Sequence, residues 1–273
     1  MGSALGYLIG GAVGEAYGWR AAFYVAGIPG LAFAFVAFFL PHPERGAMDD
    51  GPTEPELPFM DGLRRIVRTP AWRINTLGMT LMTFAMGGIA FWMPTYLIRE
   101  QGMDEGAGNM IFGGITVVAG LLATLLGGAL GDRAFAKRQG GYFSVSGVGL
   151  LLGAPFALAM PLMPNTTAVF ACAFVAEFLL FLNTGPLNAA LVACVPARLR
   201  ARSMAINVFF IHMLGDALSP ALIGEVSEVR GLSFAIALTS LPVAVSGFVL
   251  LRGARKVDAL PQGLATVDPA PTR

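Results

Sequence analysis

Charge is what this sequence has least of. Asp, Glu, Lys and Arg make up 13% of its 273 residues, where soluble domains carry ~25%. So little charge cannot clothe a water-exposed surface of that size, which excludes an ordinary soluble domain. It also leaves no basic soluble region for nucleic acid. With only two histidines and two cysteines, a dedicated metal site is not expected. No G-x-x-x-x-G-K-[ST] phosphate loop, H-E-x-x-H zinc helix or G-x-S-x-G nucleophile elbow occurs, so neither an enzyme nor a bound cofactor is expected. Cys172 and Cys194 fall on one expected helix, 22 residues apart. That is ~33 Å along the axis, far beyond the ~7 Å Cα limit for a disulfide, so they read as packing thiols. The first apolar run does not read as a secretory signal, which would carry a basic n-region, since the first Lys or Arg is Arg20.

What the chain does have is apolar sequence. Hydrophobic residues reach 55% and mean hydropathy is +0.68. A helix needs ~20 mostly apolar residues to cross a bilayer. Such runs occur at 22–40, 74–97, 110–131, 141–163, 167–194, 203–224 and 232–251, with a short eighth at 1–14. The fold class expected is an all-α integral membrane protein.

Eight spans divide the connections into two alternating sets. Arg20, Arg99 and Arg230 fall in one set, leaving 15 of the 18 basic residues in the other. The positive-inside rule makes the basic set cytoplasmic. Both chain ends then lie in the cytoplasm, and a bacterial inner membrane is the expected location.

Residues 41–73 interrupt the membrane pattern. "PHPERGAMDDGPTEPELPFMDG" (41–62) holds five prolines and six acids, which resist burial and regular structure, so it reads as an exposed linker. "LRRIVRTPAWR" (63–73) places Leu63, Ile66 and Val67 on one helical face with arginines elsewhere, the pattern of an interfacial amphipathic segment. The organisation expected is a helix pair at 1–40, a linker at 41–73, a six-helix unit at 74–256 and a disordered tail at 257–273. "LIGGAVGEAYGWRAAF" (8–23) and "LIGEVSEVRGLSFAI" (222–236) share Leu-Ile-Gly, then Glu and Gly at a corner, then a new apolar helix. The pairing matches the first two spans with the last two, six helices later.

These features resemble the major facilitator superfamily, two six-helix bundles joined by a cytoplasmic linker. "GSALGYLIGG" (2–11) resembles the glycine motif of the fifth helix, with Tyr7 where antiporters often have proline. "GGALGDRAFAKR" (127–138) resembles the loop motif after the second helix of a bundle, with Gly128, Leu130, Asp132 and Arg133 in place and Phe135 where glycine is usual. "NTGPLNAALVACVPARLRARSMAINVFFIHMLGDALSPALIG" (183–224) is similar to the tenth and eleventh helices of the Spinster-like branch, above all in "LGDALSP" and "VPARLRA". The resemblance implies a truncated major facilitator fold: the last two helices of the N-terminal bundle plus a complete C-terminal bundle, without helices one to four. It also implies secondary-active transport by alternating access, proton-coupled, of a small molecule or amphiphilic lipid. The alternative is a non-transporting remnant, or an assembly partner whose missing N-terminal bundle comes from another chain.

Charged groups in hydrocarbon cost at least ~2.5–3.5 kcal/mol, which makes them functional candidates. Glu177 lies ~15 Å into its span and shares a face with Phe181, Thr184 and Asn188. It reads either as a proton or cation site on a cavity wall, or as an acid held protonated by burial. His212 and Asp216 stand four apart, so they are neighbours that could relay protons. The rival reading has Asp216 covering helix hydrogen bonds broken by Pro220. Asn183, Pro186 and Asn188 mark a helix break, at a binding site or a plain kink. Gly128, Asp132 and Arg133 read as a conformational gate in which the carboxylate meets a helix N-terminus or an arginine. Gly2, Gly6, Gly10 and Gly11 are candidates for close helix packing.

Overall fold

The computed structural model describes residues 2–40 and 57–260. Most of the expected linker (41–56) and the tail from 261 onward lie outside the described residues. Described residues that adopt regular structure do so as helix throughout.

A helix pair comes first, α1 (Gly2–Tyr17) and α2 (Trp19–Phe38). The short α3 (Phe59–Arg68) follows, then the long α4 (Pro70–Arg99) and α5 (Glu105–Lys137), and α6 (Gly141–Ala159). Three stretches are interrupted. They are α7 (Thr166–Phe181) with α8 (Thr184–Ala193), α9 (Arg200–Ile211) with α10 (Ser219–Arg230), and α11 (Leu232–Ala237) with α12 (Ser240–Asp258). Among the described residues, seven helical stretches are long and apolar enough to cross a bilayer, and each coincides with an apolar run. The eighth, α1, has 16 residues, or ~24 Å of helix, short of the ~30 Å hydrocarbon core.

The six stretches after α3 form one bundle. α12 packs on α4 and α6, α6 on α7, and α5 on α6, α7 and α8, while α1 lies against α2 and α5. In lipid, close helix contact rests on small residues that let backbones meet. Gly147 of α6 and Gly247 of α12 show this reciprocally: a Cβ on either would stand about 3 Å from the other's carbonyl oxygen. A larger apolar cluster fills the arginine-rich end of the bundle, around Trp72, Phe143, Leu187, Leu191 and Leu250. A second lies nearer the opposite end, around Met93, Tyr96, Phe112, Met160 and Ile236.

Prolines account for the three interruptions. A proline removes the donor for the carbonyl four residues back, and each freed carbonyl finds another neighbour. Pro186 frees Leu182, whose oxygen stands 2.1 Å from where a Cβ on Gly127 would be, so the glycine Cα–H covers it. Pro220 frees Asp216, whose carbonyl accepts from the Ser219 hydroxyl at 3.4 Å. Pro242 frees Leu238, whose carbonyl accepts from the Leu241 N–H at 3.0 Å. Between α9 and α10 the chain makes a π turn over His212–Asp216, closed by Ala217 N–H to the His212 carbonyl at 3.0 Å. Such turns are rare and cluster at functional sites.

α3 uses its apolar face on protein. Ile66 is fully buried in the larger cluster, and the Arg202 guanidinium donates to the Leu57 carbonyl at 2.9 Å just ahead of the helix. Arg73 caps the other end by donating to the Arg68 carbonyl at 3.2 Å, as a cation at a helix C-terminus should. Arg64 and Arg68 remain exposed.

The two matched corners agree in backbone geometry. Gly18 joins α1 to α2 at φ 82°, ψ 159°, and Gly231 joins α10 to α11 at φ 85°, ψ 157°. That region is open essentially to glycine alone. One glycine therefore turns the chain sharply in both places.

Candidate functional site

Glu177 is buried on α7, facing α5. The Thr116 hydroxyl donates to its Oε1 at 3.0 Å and stands 3.0 Å from the Phe112 carbonyl. Oε2 has no hydrogen-bond partner among the described residues. One turn on, Phe181 also faces α5, with its ring 3.6 Å from where a Cβ on Gly120 would be.

The polar stripe expected to continue from Glu177 is split by the break. Asn183 is buried; its amide donates to the Leu180 carbonyl, and its Oδ1 has no partner among the described residues. Asn188 donates to the Thr184 carbonyl at 2.7 Å, and both are half-buried. The turn is pressed onto α5: Pro186 meets Gly131, and Gly185 passes Gly128, whose Cα is 3.1 Å from a Cβ built on Gly185. Gly128 thus serves as a passage for α8.

His212 and Asp216 meet on the π turn. The imidazole Nδ1 lies 2.8 Å and 3.1 Å from the two carboxylate oxygens. The Asp216 carbonyl freed by Pro220 accepts from the Ser219 hydroxyl. The turn lies hard against α4, where a Cβ on Gly87 would come 2.3 Å from Asp216 Cβ. Glu177 faces α5 through Thr116, whereas Asp216 lies against α4 at Gly87.

At the arginine-rich end, Asp132 is exposed and accepts from the Tyr142 hydroxyl at 3.0 Å. Phe135, unusual for the motif, stacks on Tyr142 with centroids 4.5 Å apart. Arg133 points to solvent. A second carboxylate stands at this corner, Asp258. It accepts from the Gly140 N–H at the start of α6 at 2.7 Å and pairs with Arg138 at 3.7 Å. Sequence placed Asp258 in a tail because hydropathy falls at Arg252, whereas α12 runs on past the apolar stretch. On α1, a Cβ at Gly6, Gly10 or Gly11 would meet no described residue within 4 Å. Gly2 opens the same helix.

Sequence reasoning also missed a buried polar seam between α4 and α9. Thr76 donates to Asn207 Oδ1 at 2.8 Å, with Asn75 and Ser203 buried on the same faces. Uncharged residues within apolar runs raise no signal in a hydropathy scan. The four-residue recurrence of polar side chains at 203 and 207 was the available clue.

Long apolar helices, glycine-tight crossings and buried polar breaks define a polytopic membrane protein built as a helical bundle. The sequence profile described as Major Facilitator Superfamily matches residues 1–220. The chain belongs to that superfamily. It is 32% identical over 244 residues to protein spinster homolog 3 of Danio rerio, covering 84% of this chain and 49% of that protein. Protein spinster homolog 1 of Xenopus laevis is 28% identical over 305 residues, covering 98% and 58%. The probable sphingolipid transporter spinster homolog 1 of Arabidopsis thaliana is 30% identical over 256 residues, covering 83% and 51%. The chain thus spans about half the length of the curated relatives it matches. In fold it is similar to a bacterial homologue of the human lysosomal transporter Spinster, in an inward-facing, unoccupied conformation. The TM-score there is 0.67 at 18% identity, covering 93% of this chain and 64% of the other.

Proposed function

We propose that the chain works as part of a secondary-active transporter of the Spinster-like kind, moving an amphiphilic lipid or other small molecule by alternating access. In this reading its arginine-rich end and both termini face the cytoplasm of a bacterial cell, in keeping with the charge asymmetry. A sphingolipid-type substrate is favoured by the sphingolipid named for the plant relative.

Proton coupling is assigned to Glu177, and the observation that carries it is the Thr116 hydroxyl. That hydroxyl has one proton and two acceptors at 3.0 Å, Glu177 Oε1 and the Phe112 carbonyl. A carboxyl proton on Glu177, given to Thr116 Oγ, lets Thr116 give its own to Phe112, and every bond in the chain is then served. Loss of that proton leaves a buried carboxylate competing with the carbonyl for one donor. That favours a shift of α7 against α5. His212–Asp216 is a second protonatable pair on a deformable turn. Asn183, Thr184 and Asn188 supply polar groups at the break. Gly128, Asp132 and Arg133 act as a conformational element, with Asp258 as its tether.

The reading is tested by reconstituting the chain in liposomes and following a fluorescent sphingoid base and a fluorescent lysophospholipid, with and without a pH gradient. Chain-dependent, gradient-driven movement of either is expected. Movement equal to that in empty liposomes under both conditions would reject transport by this chain.

A further inference from the structure

Six side chains form a buried seam where α4 and α9 run side by side at the arginine-rich end. Trp72, Asn75, Thr76 and Met79 share a face of α4, and Ser203 and Asn207 share a face of α9. None is more than 7% exposed. Thr76 bonds Asn207 across the seam at 2.8 Å. The amide groups of Asn75 and Asn207 both turn toward the Met79 sulfur, at 3.3 Å and 3.6 Å. A thioether is a weak acceptor, so two good donors converge on a poor partner. Three further atoms have no hydrogen-bond partner among the described residues: the Trp72 indole N–H, Asn75 Oδ1 and Ser203 Oγ.

The chemistry of those three atoms identifies the ligand. One is a donor only, one an acceptor only, and one both. Water is the small species that accepts from an indole, donates to an amide oxygen and exchanges bonds with a hydroxyl. Buried waters typically make about three such bonds. A metal cation is disfavoured, because the indole N–H would oppose it and the six side chains include no carboxylate. We infer that this seam is a water-binding site, with Trp72, Asn75 and Ser203 as its ligands. The site keeps the interface between α4 and α9 wet, so its polar groups keep a partner when the helices shift. It rests on none of the groups assigned to proton coupling.

X-ray radiolytic footprinting with mass spectrometry tests this on the whole chain in lipid nanodiscs, because radicals form from bound water in place. Trp72 and Met79 are expected to be modified severalfold faster than Met93 and Met160, which are 0% and 1% exposed in the second cluster. Ser203→Ala and Asn75→Leu should each lower modification at Trp72 and Met79 while leaving exposed Met204 unchanged. Should Asn75→Leu fail to fold, Ser203→Ala decides alone, since it removes one hydroxyl and little volume. Wild-type protection of Trp72 and Met79 equal to that of Met93 and Met160 would overturn the inference. Modification unmoved by Ser203→Ala would overturn it as well.

Discussion

Two helix pairs turn on the same corner and end in opposite surroundings. Gly18 and Gly231 hold nearly identical backbone angles, and each starts a strongly apolar helix. Yet no residue of α2 is buried, while half of the apolar stretch from Leu232 to Asp258 is. The corner is therefore a local device set by glycine, independent of what its helices touch. Burial follows from a different code, the spacing of small residues. α12 presents Gly247 and Gly253 to α6 and α4 at distances where a Cβ would collide. α2 carries Gly27 and Gly30, yet a Cβ on either would meet nothing within 4 Å.

Substitutions sharpen this contrast. The largest effect is expected at Gly127, where an added Cβ would lie 2.1 Å from the Leu182 carbonyl oxygen. Backbone has to move, so Gly127→Val should cost ~3 kcal/mol or more and lower the melting temperature of the protein in detergent well below wild type. Retention of wild-type melting would deny the tight crossing of α5 and the break. A middle-sized and matched effect is expected at the corners. Gly18→Ala and Gly231→Ala should each cost about 1–3 kcal/mol, and by similar amounts, because the space around both is open. If one were silent and the other severe, the corner would not be the shared local device. The smallest effect belongs to Gly10→Ala, which meets no described residue within 4 Å and gains about 0.5–1 kcal/mol of helix preference. A marked loss of stability there would mean that this face of α1 is covered in the membrane.

The existence and place of every long helix were legible in the sequence, because ~20 apolar residues in a row have few other uses. Their ends were not. α5 continues to Lys137 and α12 to Asp258, since helices persist beyond the hydrocarbon on charged residues that a hydropathy scan discards. That is how Asp258, tether of the α5–α6 corner, escaped notice. Glu177 stood out as an acid deep in an apolar run, but its partner Thr116 sits 61 residues earlier, and the periodicity of one helix carries no register against another. Pro220 announced a break without saying that a π turn would accommodate it. The spacing of His212 and Asp216 sufficed to foresee their contact, because i and i+4 are neighbours on one helical surface.

The most direct test of proton coupling measures substrate flux in liposomes across a series of imposed pH gradients, for wild type and Glu177→Gln. Gln keeps the shape and the bond to Thr116 but cannot release a proton. The predicted result is that Glu177→Gln inserts normally and still exchanges substrate without a gradient, while losing the acceleration that a gradient gives the wild type. Undiminished gradient dependence in Glu177→Gln would contradict the assignment.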